Sequence, residues 1–203
     1  MVPLKFRSAV LLAALASLVP SQNASKDKVP ATNQRPGSVI TIHVHKSGLF
    51  SGFGHNHTVT APVTRGTIDP QGLAVQIVVL AQEMKVVDPE VSDKDRAQIQ
   101  TDMFGPKVLD AAKFPEIKFV SMRIEPMSAA RYHVTGKLEL HGVSRELAFE
   151  VTGGTERYRG QTKLKQTDFG IQPVSVAGGT IKVKDEIELE FDIRAADLAV
   201  GTK

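Results

Sequence analysis

Residues 186–194 read Glu-Ile-Glu-Leu-Glu-Phe-Asp-Ile-Arg, an unbroken alternation of charged and apolar side chains. Because successive side chains of a β-strand point to opposite faces, this pattern predicts a strand with one charged and one apolar face. Residues 39–45 and 132–141 alternate in the same way. Strands that are apolar on one side only bury that side most economically in an antiparallel barrel or sandwich, so the sequence predicts an all-β fold.

A turn signal separates two of the predicted strands. Asp69-Pro-Gln-Gly72 has Pro and Gly where a type I turn favours them. This predicts a hairpin that joins about residues 57–68 to about residues 73–82. Over the whole chain we expect about eight strands, which is enough to close a barrel around side chains or one elongated ligand.

One segment departs from the strand pattern. Ser92 followed by Asp95 resembles a capping box, so Asp93 to Phe104 is predicted to form a helix. Gly105-Pro106 interrupts that helix, and a second short helix is predicted to reach about Ala112. The barrel is therefore expected to carry one short helical insertion.

The N-terminus resembles an export signal. Lys5 and Arg7 precede an apolar run over residues 9–19, and Ala24 is a small residue suited to cleavage. The run is about half of the roughly 20 residues needed to span a bilayer, so a cleaved signal is favoured over a stable membrane anchor. We predict a signal peptide over residues 1–24 and a periplasmic or secreted protein.

The mature chain is predicted to contain a polar, flexible lead-in over residues 25–37 and a barrel domain over residues 38–197. Removing Lys5 and Arg7 lowers the formal charge from +3 to +1. That charge favours neither nucleic acid nor an anionic membrane surface as a partner. The sequence contains no cysteine, which excludes disulfides and thiol chemistry.

Four of the six histidines form two close pairs, His43 with His45 and His55 with His57. Residues i and i+2 of a strand share a face about 6.6 Å apart, so such a pair is able to chelate a metal ion through its imidazoles. His43 and His45 alternate with apolar neighbours and are predicted to point away from the apolar face. One alternative function is therefore a metal-binding protein that uses these four histidines, and the other interpretation is a polar outer face.

A small exported hydrolase is a second alternative. It would have to use His57 or His141 with a nearby serine, since no Gly-x-Ser-x-Gly segment occurs. We predict no catalytic residue, no enzymatic activity and no cofactor.

The apolar faces are built mainly from Ile, Leu, Val, Phe and Met. An interior of this kind suits a long aliphatic molecule better than a nucleotide or a sugar, because few polar groups are present to orient a polar ligand. The same side chains would alternatively fill a solid core. Strand parity selects as candidate ligand contacts Ile40, Ile42, Val44, Ile77, Val79, Phe119, Leu138, Leu140, Phe149, Leu189 and Phe191. Phe104 and Phe114, near the helix, are predicted to close one end.

Several segments in order resemble one family, the YceI-like domain of lipocalin-like periplasmic proteins. They include Ser38-Val-Ile-Thr-Ile-His-Val-His45, Val108-Leu-Asp-Ala-Ala-Lys-Phe-Pro115, Gly136-Lys-Leu-Glu-Leu-His-Gly142 and Asp168-Phe-Gly-Ile171. The resemblance runs from about Ser38 to Ala195. It implies an eight-stranded antiparallel lipocalin-like barrel, with a polyisoprenoid or similar lipid in an apolar lumen and no catalytic residues. Gly54-His-Asn-His57 resembles a divergent branch of the family.

Overall fold

Strands dominate the described part of the chain, which in this computed structural model comprises residues 37–47, 56–69, 74–176 and 181–200. The predicted signal peptide, most of the predicted lead-in and His55 lie outside these ranges. No helix in the described ranges has the length and apolar character needed to span a membrane. The strands are β1 (Val39–Val44), β2 (Lys46–Ser47), β3 (His57–Pro62), β4 (Arg65–Ile68), β5 (Val75–Leu80), β6 (Lys85–Val86), β7 (Glu116–Ser128), β8 (Arg131–Leu140), β9 (Val143–Gly153), β10 (Arg157–Lys165), β11 (Ser175–Val176), β12 (Ile181–Val183), β13 (Glu186–Arg194) and β14 (Ala199–Val200). The helix is α1 (Asp93–Phe104), and 3₁₀ turns occupy Ala81–Glu83, Gln166–Phe169 and Ala195–Asp197.

The main sheet contains eleven strands in the order β14-β4-β5-β7-β8-β9-β10-β13-β1-β3-β6. All neighbours are antiparallel except β14 and β4, which are parallel. The predicted number of eight strands is wrong for two reasons. The strand expected over about 57–68 divides into β3 and β4, and the two-residue strands β6 and β14 are too short to show alternation in the sequence. A separate small sheet has the order β11-β12-β2.

The corner between β3 and β4 connects the two ends of the main sheet. The Val63 N–H donates to the Ser38 carbonyl beside β1 at 2.9 Å, and the Thr64 N–H donates to the Val78 carbonyl of β5 at 3.0 Å. Two adjacent residues thus bond to strands that stand far apart in the sheet order. The sheet must curl to allow this, and the inward faces of its strands then surround one interior.

The hairpin predicted around Asp69 is formed by β4 and β5, which pair in antiparallel register. The Asp69 N–H donates to the Ala74 carbonyl at 2.9 Å, and the Ala74 N–H donates to Asp69 Oδ1 at 3.0 Å. Residues 70–73 lie outside the described ranges.

Helix α1 begins where the sequence predicts. The Ser92 hydroxyl accepts the Asp95 N–H at 3.1 Å and so caps the helix. The second short helix is absent from the described residues: after Gly105 the chain forms successive turns, and Asp110 has a left-handed φ of 44° that is incompatible with a continuing helix. The buried side chain of Met103 joins the core cluster beneath the helix.

The ladder between β9 and β10 is short. These strands pair only over Tyr158–Gly160, whereas β10 pairs with β13 along its full length. Farther along β9, the 3₁₀ turn Gln166–Phe169 lies beside the strand, and Arg145 Nε donates to the Asp168 carbonyl at 2.9 Å. Phe169 of this turn is almost fully buried, and its packing helps to fill the interior near α1.

Candidate ligand cavity

The interior of the curled sheet has two parts. Near α1 it is a packed core, which includes Met103, Leu140 and Phe169. Away from α1 it encloses a cavity of about 300 Å³. Inward side chains from β1, β4, β5, β7, β8, β9, β10 and β13, together with Leu198, line the cavity: Ile40, Ile68, Val75, Ile77, Phe119, Ile124, Pro126, Tyr132, Val134, Leu138, Leu147, Phe149, Val151, Tyr158, Thr162, Leu189, Phe191, Ile193 and Leu198.

The cavity wall is almost entirely apolar. Its polar side chains are the phenols of Tyr132 and Tyr158 and the hydroxyl of Thr162, and no charged side chain belongs to the described lining. Such a wall binds by dispersion and by removing apolar surface from water. It is suited to a ligand whose surface is mostly hydrocarbon.

Three phenylalanines form a continuous aromatic row across the cavity. The ring centroids of Phe119 and Phe149 are 5.4 Å apart, and those of Phe149 and Phe191 are 5.3 Å apart, in tilted and edge-to-face arrangements. A glycine makes room for each outer ring, because a methyl group on Gly136 would collide with Phe119 and one on Gly160 with Phe191. The glycines therefore allow the rings to lie close to the neighbouring strands.

Seven of the sequence-predicted ligand contacts lie together in the cavity wall, namely Ile40, Ile77, Phe119, Leu138, Phe149, Leu189 and Phe191. Four others belong to the packed part of the interior and do not line the cavity, namely Ile42, Val44, Val79 and Leu140. Phe104 packs against the same core from α1. Phe114 lies edge-on to His141, with ring centroids 4.9 Å apart, and also stands outside the cavity wall.

Sequence reasoning missed Ile124 and Pro126 because β7 contains a bulge. Ser121 pairs with Gly136, but the next pair on β8 is formed by Arg123, so Met122 is an extra residue. A bulge reverses the parity of the residues that follow it. The inward orientation of Tyr132 and Val134 was predictable from the sequence, since both residues alternate in phase with Leu138.

Some of the other missed residues lie on strands whose alternation is clear in the sequence. Ile193 is in phase with Leu189 and Phe191, and Val151 is in phase with Phe149. Leu198 lacked such a signal because it follows a 3₁₀ turn rather than lying within a long strand.

Leu198 is held in position by hydrogen bonds between the preceding residue, Asp197, and Ser38 at the start of the domain. Asp197 Oδ2 accepts hydrogen bonds from the Ser38 N–H at 2.7 Å and from the Ser38 hydroxyl at 2.8 Å. The hydroxyl bond is the main cause of the lowered pKa of Asp197. These bonds hold the segment after β13 against the start of β1.

His43 and His45 lie on the outer face of the sheet, as the alternation predicts. His43 Nε2 is 3.7 Å from Glu190 Oε1, and His45 Nε2 is 3.7 Å from Glu188 Oε2. Both carboxylates belong to the charged face of β13. These histidines therefore form part of a polar outer surface.

His57 points to the opposite face of the sheet, since it stands opposite the inward-facing Val44. Its Nδ1 atom is 2.7 Å from Oδ2 of Asp88, a carboxylate only 4% exposed, whose Oδ1 accepts the Thr58 N–H at 2.6 Å. The three described histidines of the predicted metal site are thus divided between two faces. The described residues contain no group of three or more side chains placed to hold a metal ion.

The histidines considered for a hydrolase have other contacts. His141 Nδ1 lies 3.2 Å from the Phe169 carbonyl oxygen. No serine hydroxyl in the described ranges bonds to a histidine ring, so neither His57 nor His141 is joined there to an activated nucleophile.

Charges near the cavity lie on the outer face of the sheet. Asp192 is bound by Arg157 and Arg159, and the hydrogen bond from Arg157 is the main cause of its lowered pKa. Arg131 is paired with Glu150. These guanidinium groups are engaged by carboxylates and do not reach the cavity wall.

The YceI-like domain profile matches residues 37–195 of the chain. A UPF0312 protein of Pseudomonas putida (strain W619) is 33% identical over 90 residues, which are 39% of this chain and 47% of that protein. The chain thus spans about half the length of the curated relatives it matches.

Two solved structures show the same fold at low sequence identity. BcnA of Burkholderia cenocepacia superposes with a TM-score of 0.54 at 19% identity, covering 76% of this chain and 94% of that one. A polyisoprenoid binding domain from Saccharophagus degradans, implicated in plant cell wall breakdown, has a TM-score of 0.52 at 14% identity with the same coverage.

Proposed function

This chain belongs to the YceI-like domain family, and we propose from that premise that it is an exported protein that binds or carries a long-chain, isoprenoid-like lipid. The observation that carries the proposal is the cavity of about 300 Å³ with an almost wholly apolar wall. Ligand sites are typically clefts or cavities of about 300–1,000 Å³ lined mainly by apolar side chains. The polyisoprenoid-binding relative of similar fold supports the same ligand class.

The ligand is bound through its hydrocarbon chain. Each methylene group that leaves water for the cavity contributes about 0.8 kcal/mol. Affinity should therefore rise with chain length until the cavity is full. The seven predicted contacts that line the cavity, with the aromatic row at their centre, are the proposed hydrocarbon-binding surface.

Binding rather than catalysis is the proposed activity. The polar groups in the described wall are two phenols and one aliphatic hydroxyl, with no carboxylate, imidazole or amine among them. General acid–base catalysis uses His most often, and also Asp, Glu, Lys or Tyr; of these, only Tyr occurs in the described wall. Export is proposed from the basic and apolar N-terminal sequence.

The test is lipid analysis of untagged protein purified from its native host. Organic extraction followed by mass spectrometry should release an aliphatic, isoprenoid-like lipid, and metal analysis of the same sample covers the alternative histidine site. A blocking variant, Thr162→Trp, places an indole in the cavity, and its matched control, Gln161→Trp, places one on the opposite face of the same strand.

We expect Thr162→Trp to fold and to lose most of the lipid, and Gln161→Trp to retain it. Equal lipid content in the folded Thr162→Trp variant and the wild type would contradict binding in this cavity. Protein that carries a stoichiometric metal ion and no lipid would favour the histidine alternative instead.

A further inference from the structure

The boundary between β9 and β10 is joined over only part of its length. Ladder pairs on the β10 side run over Tyr158–Gly160 and stop there. Beyond them, residues 144–149 of β9 pair with β8 alone, and residues 162–165 of β10 pair with β13 alone. We call this unpaired boundary between two described segments the seam. At the rise of a β-strand it extends over about 20 Å along β9.

The charged side chains beside the seam pair away from it. Lys163, which points outward from β10, binds Glu186 and Glu188 of β13 at 3.0 and 2.9 Å. Glu150, which follows the seam on β9, binds Arg131 of β8. No ion pair or side-chain hydrogen bond joins the two described segments across the seam. Separating the strands there therefore breaks no ladder pair and no ion pair.

The seam has fixed ends and firm sides. The Tyr158–Gly160 ladder holds one end. Near the other end, Arg145 Nε donates to the Asp168 carbonyl of the 3₁₀ turn at 2.9 Å. On the two sides, β9 is joined to β8 by ten successive pairs, and β10 is joined to β13 by nine. Opening is therefore confined to a slit between two strands that each belong to a continuous ladder.

The cavity lies directly behind the seam. Leu147 and Phe149 of β9 and Thr162 of β10 flank the seam and line the cavity. Leu164, the next inward residue of β10, belongs to the packed core near α1. Because that core fills the α1 end of the interior, a ligand has to enter either at the opposite end or through the wall. A hydrocarbon chain that lies along the strands would meet the seam with its whole length.

We propose that the lipid enters and leaves the cavity sideways, by transient separation of β9 and β10 along the seam. Opening the wall between β8 and β9, or between β10 and β13, would instead break a continuous ladder. Each hydrogen bond broken lowers the population of an open state about five-fold. This inference rests on the proposed lipid-binding function and adds the path by which the ligand reaches its site.

The experiment closes the seam reversibly with cysteines, which the natural sequence lacks. Ala148→Cys and Lys163→Cys place thiols on the outer faces of β9 and β10, opposite each other in the register that continues their ladder. A short bis-methanethiosulfonate linker joins the thiols, and reductant removes it. In the matched control, Ala148→Cys is linked to Thr135→Cys, its partner in the continuous β8–β9 ladder. Mass spectrometry verifies each link in the delipidated full-length protein.

The probe is all-trans-retinol, an isoprenoid alcohol whose fluorescence rises in an apolar site, and stopped-flow fluorescence follows its uptake and release. The link across the seam should slow both rate constants at least about tenfold, since the remaining lateral routes must break two or more ladder hydrogen bonds. The equilibrium affinity should not change, because the link lies outside the cavity. Reductant should restore the rates, and the control link should leave them unaltered.

Two results would overturn the seam as the entry path and leave lipid binding intact. One is equal rates with the seam linked and reduced, which would place entry at the end of the cavity away from α1. The other is equal slowing by both links, which would reflect a general stiffening of the wall. Failure of the wild type to bind retinol, or a polyprenol that competes with it, would overturn the proposed function together with this inference.

Discussion

Gly160 provides a sharp test of how the cavity wall is packed. A methyl group at this position would lie 2.5 Å from the Glu150 carbonyl oxygen and would also overlap the ring of Phe191. The ring is able to rotate away, but the carbonyl belongs to the backbone of β9. Gly160→Ala should therefore force β9 and β10 apart at one end of their short ladder.

The size of the effect follows from two opposing contributions. Overpacking of a filled site costs about 1–3 kcal/mol, and a backbone clash belongs at the upper end of that range. Replacing Gly by Ala also lowers the entropy of the unfolded chain, which stabilises the native state by about 0.4–1 kcal/mol. We expect a net loss of about 2 kcal/mol in the free energy of unfolding, and a fall in Tm of about 4–8 °C for a chain of this size.

The assay is thermal unfolding followed by circular dichroism, with Gly154→Ala as the control. Apart from Gly154 itself and its two neighbours in the chain, no residue has an atom within 4 Å of a methyl group placed on Gly154, so that variant should keep or slightly raise the Tm. The displaced Phe191 ring should also reduce the lipid content of Gly160→Ala. Equal melting temperatures for the two variants would refute the close packing of Phe191 on Gly160.

Three further substitutions test other contacts. The hydrogen bond from Arg157 is the main cause of the lowered pKa of Asp192. The stabilisation that ionised Asp192 provides is therefore present above about pH 4 and is lost as the pH falls through its folded-state pKa. Asp192→Asn should remove that part of the acid sensitivity in unfolding curves recorded from about pH 6 to about pH 2. Leu140→Glu should prevent folding because it buries an unpaired charge, whereas Leu140→Met should fold. If circular dichroism shows that the glutamate variant is folded, Leu140 does not lie in a packed core. Asp88→Ala should lower the free energy of unfolding by about 1–3 kcal/mol, because it leaves His57 and the Thr58 N–H without their partner. An unchanged midpoint in denaturant unfolding would show that these buried contacts contribute little to stability.

Local sequence patterns predicted many individual elements. Alternation identified the apolar faces of β1, β8 and β13, since the side chains of a strand alternate wherever the strand is regular. Ser92 identified the start of α1 because capping depends on residues only a few positions apart. The ordered motifs from Ser38 to Ala195 also identified the family.

Local sequence patterns did not predict the features that depend on strand interruptions. The corner at Val63 and Thr64 splits one predicted strand and lets the sheet curl. The bulge at Met122 reverses the inward set of β7, and therefore Ile124 and Pro126 were missed. Neither interruption changes the local composition enough to be recognised from alternation alone.

By itself, then, the sequence determined that this chain forms amphipathic strands with one apolar side, because that property is local and repeats every two residues. Tertiary structure alone decided that one part of the interior is packed and another part encloses a cavity, since this depends on how inward side chains of eight different strands meet. It also decided that His43 and His57 lie on opposite faces although they belong to paired strands. Strand register sets such relations, and it arises from contacts between residues distant in the chain.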